Sequence, residues 1–286
     1  MLGDYFDRLA HGSGRGNSPS WMLEACMPHP PLTLHDGVPY GSHPRQRLDL
    51  YLPPPRRRAH RLVVFLYGGG WDAGARGTYR FLAQAMVACG FAVAVPDYRI
   101  YPEARFPDFL HDSAAAVGWL QRHATDYGFD GSRMALMGHS AGAYNAAAVA
   151  LDPSYLEQAG VSPELIGGVV GLAGPYALNP LEYQETREIF APSQSDPSRA
   201  HVVRLVRPHA PPMLLAHGGI DRRVLPVNSL RLAEAMRAAG NDARLRVYPR
   251  HGHVGLLLAL ANPFRWLFRA LDDTVEFLDG ILAPRH

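Results

Sequence analysis

The sequence predicts an α/β protein with a mainly parallel sheet and helices on both faces of that sheet. Between residues 62 and 172, short apolar runs typical of buried strands alternate with segments predicted as helices. Such alternation indicates repeated strand–helix–strand units, whose strands lie side by side in one direction. The chain of 286 residues is long enough to bury a substantial core within one large domain.

The predicted elements begin after an N-terminal arm, residues 1–37, which is rich in Gly, Ser and Pro and has no clear period. Polar and apolar residues alternate in Arg47–Leu52, which predicts a half-exposed edge strand. The strands that follow are Leu62–Leu66, Phe91–Val95, Met134–Met137 and Gly167–Leu172, and the intervening helices are about Tyr79–Ala88, Phe109–His123 and Ala141–Leu151. Residues 174–211 interrupt this pattern with prolines, and we expect them to form a small cap or insertion.

The pentapeptide Gly138-His139-Ser140-Ala141-Gly142 lies between one of these strands and an alanine-rich helix. The G-x-S-x-G spacing is typical of a serine on a tight strand-to-helix turn, where the glycines leave room for the turn. A serine hydroxyl becomes a good nucleophile when a base removes its proton. Ser140 is therefore the candidate nucleophile, and the alternative is that it only caps the helix.

Three consecutive glycines follow another predicted strand, within Tyr67-Gly68-Gly69-Gly70-Trp71. Glycine has no Cβ atom, so backbone N–H groups in such a loop can approach a ligand closely. In acyl transfer, donors of this kind hold the oxyanion of the tetrahedral intermediate, and the N–H of Ala141 would add another. The alternatives are a merely flexible loop or a dinucleotide site, although the G-x-G-x-x-G spacing is absent.

A candidate acid and a candidate base follow two later apolar runs. Asp221 comes after the run that ends at Ala216, and His253 lies on the loop after Leu245–Tyr248. Asp221 would orient the imidazole, and His253 would take the serine proton and later deliver one to the leaving group. His251 and Asp242 are the competing base and acid, and His217 is expected to be structural.

Taken together, these segments resemble the α/β-hydrolase-fold carboxylesterases of the hormone-sensitive-lipase-like group, and also the feruloyl-esterase-like and arylformamidase-like branches. The resemblance rests on Tyr67–Trp71, the serine pentapeptide, the D-Y-R-x-x-P-E and F-P stretch of Asp97–Pro107, and His217–Asp221 with His253. The order serine, aspartate, histidine is also the one expected for this fold. The resemblance implies an α/β-hydrolase catalytic domain over residues 38–286.

The resemblance also implies roles for individual residues. It assigns the oxyanion donors to Gly69, Gly70 and Ala141, and it favours His253 over its competitor because a glycine precedes it and an apolar helix follows. Many relatives carry a histidine where this chain has Tyr67. We expect Tyr67, Trp71 and His139 to contribute to the substrate pocket.

The predicted function is a serine hydrolase that cleaves carboxylic esters with short acyl chains through an acyl-enzyme on Ser140. An arylformamidase or small-amide hydrolase would use the same residues, and an acyltransferase would differ only in the acceptor. Some proteins of this fold are ligand receptors without turnover, but these usually lack a triad member. The resemblance implies no metal or organic cofactor.

Composition argues against several other classes of protein. A net charge of +2, with both signs spread along the chain, gives no electrostatic case for nucleic acid, and Arg56–Arg58 reads as a solvated turn. Two cysteines, Cys26 and Cys89, are too sparse for a disulfide framework or a metal site. No apolar stretch resembles a signal peptide or reaches the length of a membrane span, so we expect a cytoplasmic enzyme.

Overall fold

One eight-stranded sheet runs through the computed structural model, which describes residues 30–55, 60–261 and 269–283. The strands are β1 (Thr33–Pro39), β2 (Arg47–Leu52), β3 (His60–Leu66), β4 (Ala92–Pro96), β5 (Phe129–His139), β6 (Ile166–Leu172), β7 (Met213–Gly218) and β8 (Ala243–Tyr248). Their order across the sheet is β1-β2-β4-β3-β5-β6-β7-β8. Strands β3 to β8 pair in parallel, and β2 runs antiparallel to both of its neighbours, so the predicted mainly parallel sheet is confirmed.

The prediction of a half-exposed edge strand at Arg47–Leu52 is wrong. β1 covers the outer side of β2, and every residue of β2 after Arg47 is buried. The alternating pattern suggested an exposed face because Asp49 is polar, but Asp49 is buried. Its carboxylate accepts hydrogen bonds from Nε of Arg76 at 2.6 Å and from the N–H of Gly37 at 2.9 Å. β1 also crosses the boundary at residue 37, so the sheet starts within the predicted arm.

Some expectations concern residues outside the described ranges. Residues 1–29 of the predicted arm, with Cys26, are among them, and so is the run Arg56–Arg58. Cys89 is described: it is partly buried and packs against the hydrophobic core.

Helices pack on both faces of the sheet, as predicted. They are α1 (Arg80–Ala88), α2 (Asp108–Arg122), α3 (Ala124–Tyr127), α4 (Ala141–Leu151), α5 (Pro153–Gln158), α6 (Gln184–Arg187), α7 (Val227–Ala238), α8 (His253–Ala261) and α9 (Ala270–Ile281). The helices α1, α8 and α9 are joined by contacts into one group, and α2, α4 and α5 form a second group. Every residue of α4 is buried, because its small alanine side chains let it lie close against β5 and β6. In the described ranges, no helix has the length and apolar character needed to cross a bilayer.

The segment between β6 and β7 contains short helical turns in place of regular strands. They are Pro180–Glu182, α6, Ala191–Ser193, Pro197–Ala200 and Val202–Leu205. Its aromatic side chains differ in environment: Tyr176 and Phe190 are fully buried, whereas Tyr183 is 47% exposed. Phe190 packs against Trp71 with a ring-centroid distance of 4.9 Å, so the segment is tied to the core close to the glycine-rich loop.

Candidate active site

Ser140 lies on the turn between β5 and α4, with backbone angles φ 53° and ψ −120°. A non-glycine residue at positive φ is strained by about 1–3 kcal/mol, so its surroundings must hold it there. Its N–H donates to the carbonyl of Leu172 on β6 at 2.9 Å. A Cβ atom on Gly138 would overlap the backbone of Gly142, and one on Gly142 would overlap the carbonyl of Leu66. Both motif glycines are therefore required by the packing of the turn.

Asp221 and His253 form a buried pair near the carboxyl ends of β7 and β8. Nδ1 of His253 lies 2.8 Å from Oδ2 of Asp221. The other carboxylate oxygen accepts the N–H groups of Arg223 at 2.9 Å and Val224 at 3.0 Å, which fixes the plane of the carboxylate. With a carboxylate as partner, Nδ1 of His253 carries the proton, so Nε2 is the nitrogen with a free lone pair.

The charge of Asp221 is stabilised by its neighbours. Burial alone would raise the pKa of this carboxyl, but hydrogen bonds from His217 and His253 outweigh burial and hold the pKa well below its ordinary value. Nε2 of His217 lies 3.5 Å from Asp221 and 2.8 Å from the carbonyl of Val224, and its Nδ1 lies 2.7 Å from Oγ of Ser229. His217 is fully buried in these contacts, in keeping with the structural role expected for it.

His139 connects the serine turn to the histidine loop. Its Nε2 lies 3.2 Å from the carbonyl oxygen of His253, and the two ring centroids are 4.8 Å apart. A carbonyl only accepts, so Nε2 of His139 carries the proton. Burial, and then repulsion by His253, lower the pKa of His139 to about 3. Because His139 directly precedes Ser140, these contacts hold the backbone of residue 253 beside the serine turn.

The competing acid and base have different surroundings. Asp242 precedes β8, whereas the residues of the candidate site follow their strands, so Asp242 lies at the opposite edge of the sheet from Ser140. It is exposed and lies 3.7 Å from the guanidinium of Arg244. His251 is only half-buried, and its ring meets the edge of Tyr248 at a centroid distance of 5.9 Å.

The glycine-rich loop packs directly on the serine turn. A Cβ atom on Gly68 would lie 3.1 Å from Cβ of Ser140, so the loop backbone approaches the serine as closely as glycine allows. Gly69 and Gly70 follow with φ values of 139° and 63°, which only glycine adopts without strain. Within the described ranges, no acceptor is bound by the N–H groups of Gly69, Gly70 or Ala141, the first residue of α4.

Tyr67, the residue before the three glycines, anchors this loop in the core. Its ring is fully buried and stacks on Tyr79 and Tyr98 at centroid distances of 5.4 and 4.9 Å. Its hydroxyl donates to Oδ1 of Asp97 at 2.7 Å and accepts from Nη2 of Arg45 at 2.9 Å. A side chain with all of its surface occupied in this way does not reach a substrate, which differs from the pocket role expected for Tyr67.

Trp71 and His139 are also more buried than residues of an open pocket wall, with 3% and 5% of their surface exposed. Nε1 of Trp71 donates to Oδ1 of Asn145 on α4 at 2.9 Å, and its ring packs edge-on against Tyr144 and Phe190. This hydrogen bond ties the end of the glycine-rich loop to the helix that follows Ser140.

Sequence reasoning missed the ion-pair network that anchors the loop. Arg76, just beyond the glycines, reaches Asp49 on β2 with Nε at 2.6 Å and Oδ2 of Asp97 with Nη1 at 2.6 Å. The backbone N–H of Arg76 donates to Oδ1 of Asp97 at 2.8 Å. The sequence showed Asp49 as a charged residue inside a strand and Asp97 as the start of the D-Y-R stretch, but nothing in it linked either one to Arg76.

The described residues contain no cluster of metal-ligating side chains. No group of three or more His, Cys, Asp and Glu side chains in the ranges 30–55, 60–261 and 269–283 is arranged to hold a metal ion.

Comparison with known proteins places this geometry in a family. The isoprenylcysteine alpha-carbonyl methylesterase ICME of Arabidopsis thaliana is 30% identical over 273 residues, which cover 87% of this chain and 61% of that protein. The chain thus spans about three fifths of the length of this curated relative. Esterase 2 of Thermogutta terrifontis is 25% identical, with a TM-score of 0.70 over 91% of this chain and 95% of that one.

Other solved structures share the architecture at lower identity. Esterase B of Lactobacillus rhamnosis superimposes with a TM-score of 0.77 over 98% of this chain and 94% of its own, at 22% identity, which indicates the fold alone. The BD-FAE family model matches residues 48–236, a span that includes the glycine-rich loop, the serine turn and Asp221. The chain has the α/β-hydrolase fold and belongs to the BD-FAE family.

Proposed function

We propose that the protein is a carboxylesterase that works through a serine acyl-enzyme, with Ser140 as nucleophile, His253 as general base and Asp221 as the group that orients the base. The observation that carries this proposal is the 2.8 Å hydrogen bond between Asp221 and His253, with the backbone of His253 held to the strained serine turn by the ring of His139 at 3.2 Å. The esterase names of the relatives support the same reaction class.

In the proposed cycle, Oγ of Ser140 attacks the ester carbonyl while Nε2 of His253 takes its proton. The imidazolium that forms is stabilised by the Asp221 carboxylate. His253 then protonates the alkoxide leaving group, and the alcohol departs. Water then gives a proton to His253 and attacks the acyl carbon. The bond from that carbon to Oγ of Ser140 breaks, His253 returns the proton to Oγ, and the carboxylic acid leaves.

The negative charge of each tetrahedral intermediate would be held by the N–H groups of Gly69, Gly70 and Ala141. Among the described residues these groups have no acceptor, and the loop that carries Gly69 and Gly70 packs on Ser140. Losing a single donor of this kind typically lowers the rate by about a hundredfold to a thousandfold. Ala141 contributes because the first N–H groups of a helix have no partner within that helix.

We propose small esters with short acyl chains as substrates. Esterase 2 of Thermogutta terrifontis has been solved with propionate bound, which supports a short acyl group. The Arabidopsis relative is named as an isoprenylcysteine alpha-carbonyl methylesterase, a name that supports a small alcohol part and does not bear on a short acyl part. Trp71 at the end of the glycine-rich loop and Phe190 in the segment after β6 are buried against each other, which supports a filled core beside the loop and a small substrate.

The experiment that tests the proposal is a hydrolysis profile of the wild type and the Ser140→Ala variant. p-Nitrophenyl esters from acetate to palmitate give the chain-length preference, and an N-formyl aryl amide tests the arylformamidase alternative. We expect turnover of acetate and butyrate, little of palmitate or the formamide, and none by Ser140→Ala. Folded wild-type protein that binds these compounds without turnover would favour the receptor alternative.

A further inference from the structure

Two tyrosine hydroxyls donate hydrogen bonds to consecutive carbonyl groups at the start of the glycine-rich loop. Tyr98 donates to the carbonyl of Tyr67 at 2.8 Å, and Tyr79 donates to the carbonyl of Gly68 at 3.3 Å. These two contacts control different peptide groups. The carbonyl of Tyr67 shares its peptide with the N–H of Gly68, and the carbonyl of Gly68 shares its peptide with the N–H of Gly69.

The peptide geometry links the Tyr79 hydroxyl to a proposed oxyanion donor. In a planar trans peptide, the C=O and the N–H point in opposite directions. The carbonyl of Gly68 faces the Tyr79 hydroxyl, so the N–H of Gly69 points away from Tyr79. Gly68 itself packs against Cβ of Ser140, which places that N–H next to the serine turn.

The other proposed donor in the loop is held without any side chain. The carbonyl of Gly69 accepts the backbone N–H groups of Asp72 at 3.2 Å and Ala73 at 3.0 Å, and these bonds orient the peptide that carries the N–H of Gly70. Among the contacts of the described residues, a side-chain hydroxyl, that of Tyr79, holds the donor peptide between Gly68 and Gly69 but not the one between Gly69 and Gly70. Substitution of one side chain can therefore release one donor and leave the other in place.

The position of the Tyr79 side chain is fixed by packing. It ends the helical turn Arg76–Tyr79, and its ring stacks on Tyr67 with an interplanar angle of 13° and contacts Phe65 at a centroid distance of 5.5 Å. Burial raises the pKa of Tyr79 to about 12, so the hydroxyl stays protonated and remains a donor. A hydrogen bond to a peptide carbonyl also polarises the N–H at the other end of the same peptide.

We propose that Tyr79 is a positioning residue for the oxyanion hole, which acts by fixing and polarising the peptide whose N–H belongs to Gly69. This inference rests on the proposed esterase function. Tyr98 gives a matched comparison, because its hydroxyl binds the preceding carbonyl and fixes a peptide whose N–H is no oxyanion donor in the proposed cycle.

The test compares Tyr79→Phe and Tyr98→Phe with the wild type. The measurements are kcat and KM for p-nitrophenyl acetate, the inhibition constant of an alkyl trifluoromethyl ketone, and the Tm. The ketone forms an adduct with the serine hydroxyl that carries an oxyanion, so its affinity reports on the donors. We expect Tyr79→Phe to lower kcat by about threefold to thirtyfold, less than the loss of a whole donor, with KM unchanged and ketone affinity weakened by the same factor.

Tyr98→Phe is expected to lower the Tm but to keep kcat and ketone affinity within about twofold of the wild type, because no oxyanion donor is released. A folded Tyr79→Phe variant with wild-type kcat and ketone affinity would overturn the proposal, and so would equal losses in both variants. Should Tyr98→Phe fail to fold, Tyr79→Phe tests the proposal by itself. A weakened ketone affinity with an unchanged KM supports the proposal, and an unchanged ketone affinity overturns it. Wild-type protein without ester turnover would instead refute the proposed function, and this inference with it.

Discussion

Nδ1 of His253 lies 2.8 Å from Oδ2 of Asp221, although the two residues are 32 positions apart in the chain. Helix α7 and strand β8 fill that interval, so each residue follows a different strand and the sheet brings them together. The pairing leaves Nε2 as the basic nitrogen of His253, which is the arrangement that a general base requires.

Replacing Asp221 by Asn is expected to lower kcat by about a thousandfold or more, because an amide neither stabilises the imidazolium nor fixes its tautomer. KM should change little, since the carboxylate is buried and does not contact the substrate in the proposed cycle. Steady-state kinetics with p-nitrophenyl acetate measures both constants. Asp242→Asn is the matched control at the far edge of the sheet, and a comparable loss in that variant would contradict the assignment.

His253→Ala and His251→Ala separate the two histidines of the last loop. The account predicts that His253→Ala loses about a thousandfold or more in kcat, as expected for removal of a general base from a triad. His251→Ala should stay within about tenfold of the wild type, because its ring packs against Tyr248, whereas the ring of His253 makes the 2.8 Å hydrogen bond to Asp221. The reverse ranking in folded variants would reassign the base.

His139 makes the stability of the protein depend on pH. Its pKa is lowered to about 3 in the folded protein, whereas a histidine in the unfolded chain titrates near its ordinary value of about 6.5. The unfolded state therefore binds a proton first as the pH falls, and folded-state stability is lost below that ordinary value. The expected loss between pH 7 and pH 5 is on the order of 2 kcal/mol.

Urea denaturation at pH 7, 6 and 5 measures this loss, and His139→Gln removes the titrating group while an amide N–H remains. The difference in unfolding free energy between the wild type and His139→Gln should shift against the wild type as the pH falls. A difference that stays constant across this range would show that His139 is not held in its neutral form.

Gly142→Ala tests the packing of the serine turn. The added methyl group would overlap the carbonyl of Leu66, so we expect a loss of about 3 kcal/mol in unfolding free energy. Gly77→Ala is the control, because a Cβ atom there has nothing within 4 Å. Chemical denaturation of both variants gives the comparison, and equal stabilities would mean that the turn tolerates a side chain.

Most of the sheet could be predicted because its strands are short apolar runs that need no polar partner. β3, β4 and β6 are of this kind, and the helix after Ser140 was predicted with its observed bounds, Ala141–Leu151. The burial of β2 could not be predicted, since β1 covers its outer side and its buried Asp49 is paired with Arg76, a contact over 27 positions of sequence. The alternation of polar and apolar residues in a strand does not show which distant residue will pair with a buried carboxylate.

In the candidate site too, features with a local cause could be predicted and features that depend on distant contacts could not. The serine turn has a local cause, the steric need for Gly138 and Gly142, and local causes are visible in sequence. Tyr67 was expected to face the substrate because it adjoins the glycines, but its partners Asp97 and Arg45 come from other parts of the chain and draw it into the core. Adjacency in sequence to a functional loop does not determine which side of that loop a side chain occupies.

The proposed reaction requires a covalent intermediate on Ser140, and active-site labelling detects such a nucleophile. The wild type is treated with a fluorophosphonate, and intact-mass spectrometry followed by peptide mapping locates the adduct. The account predicts one adduct per chain, on the peptide that contains Ser140, and none in Ser140→Ala. Folded wild-type protein that stays unmodified, or an adduct on another residue that persists in Ser140→Ala, would contradict it.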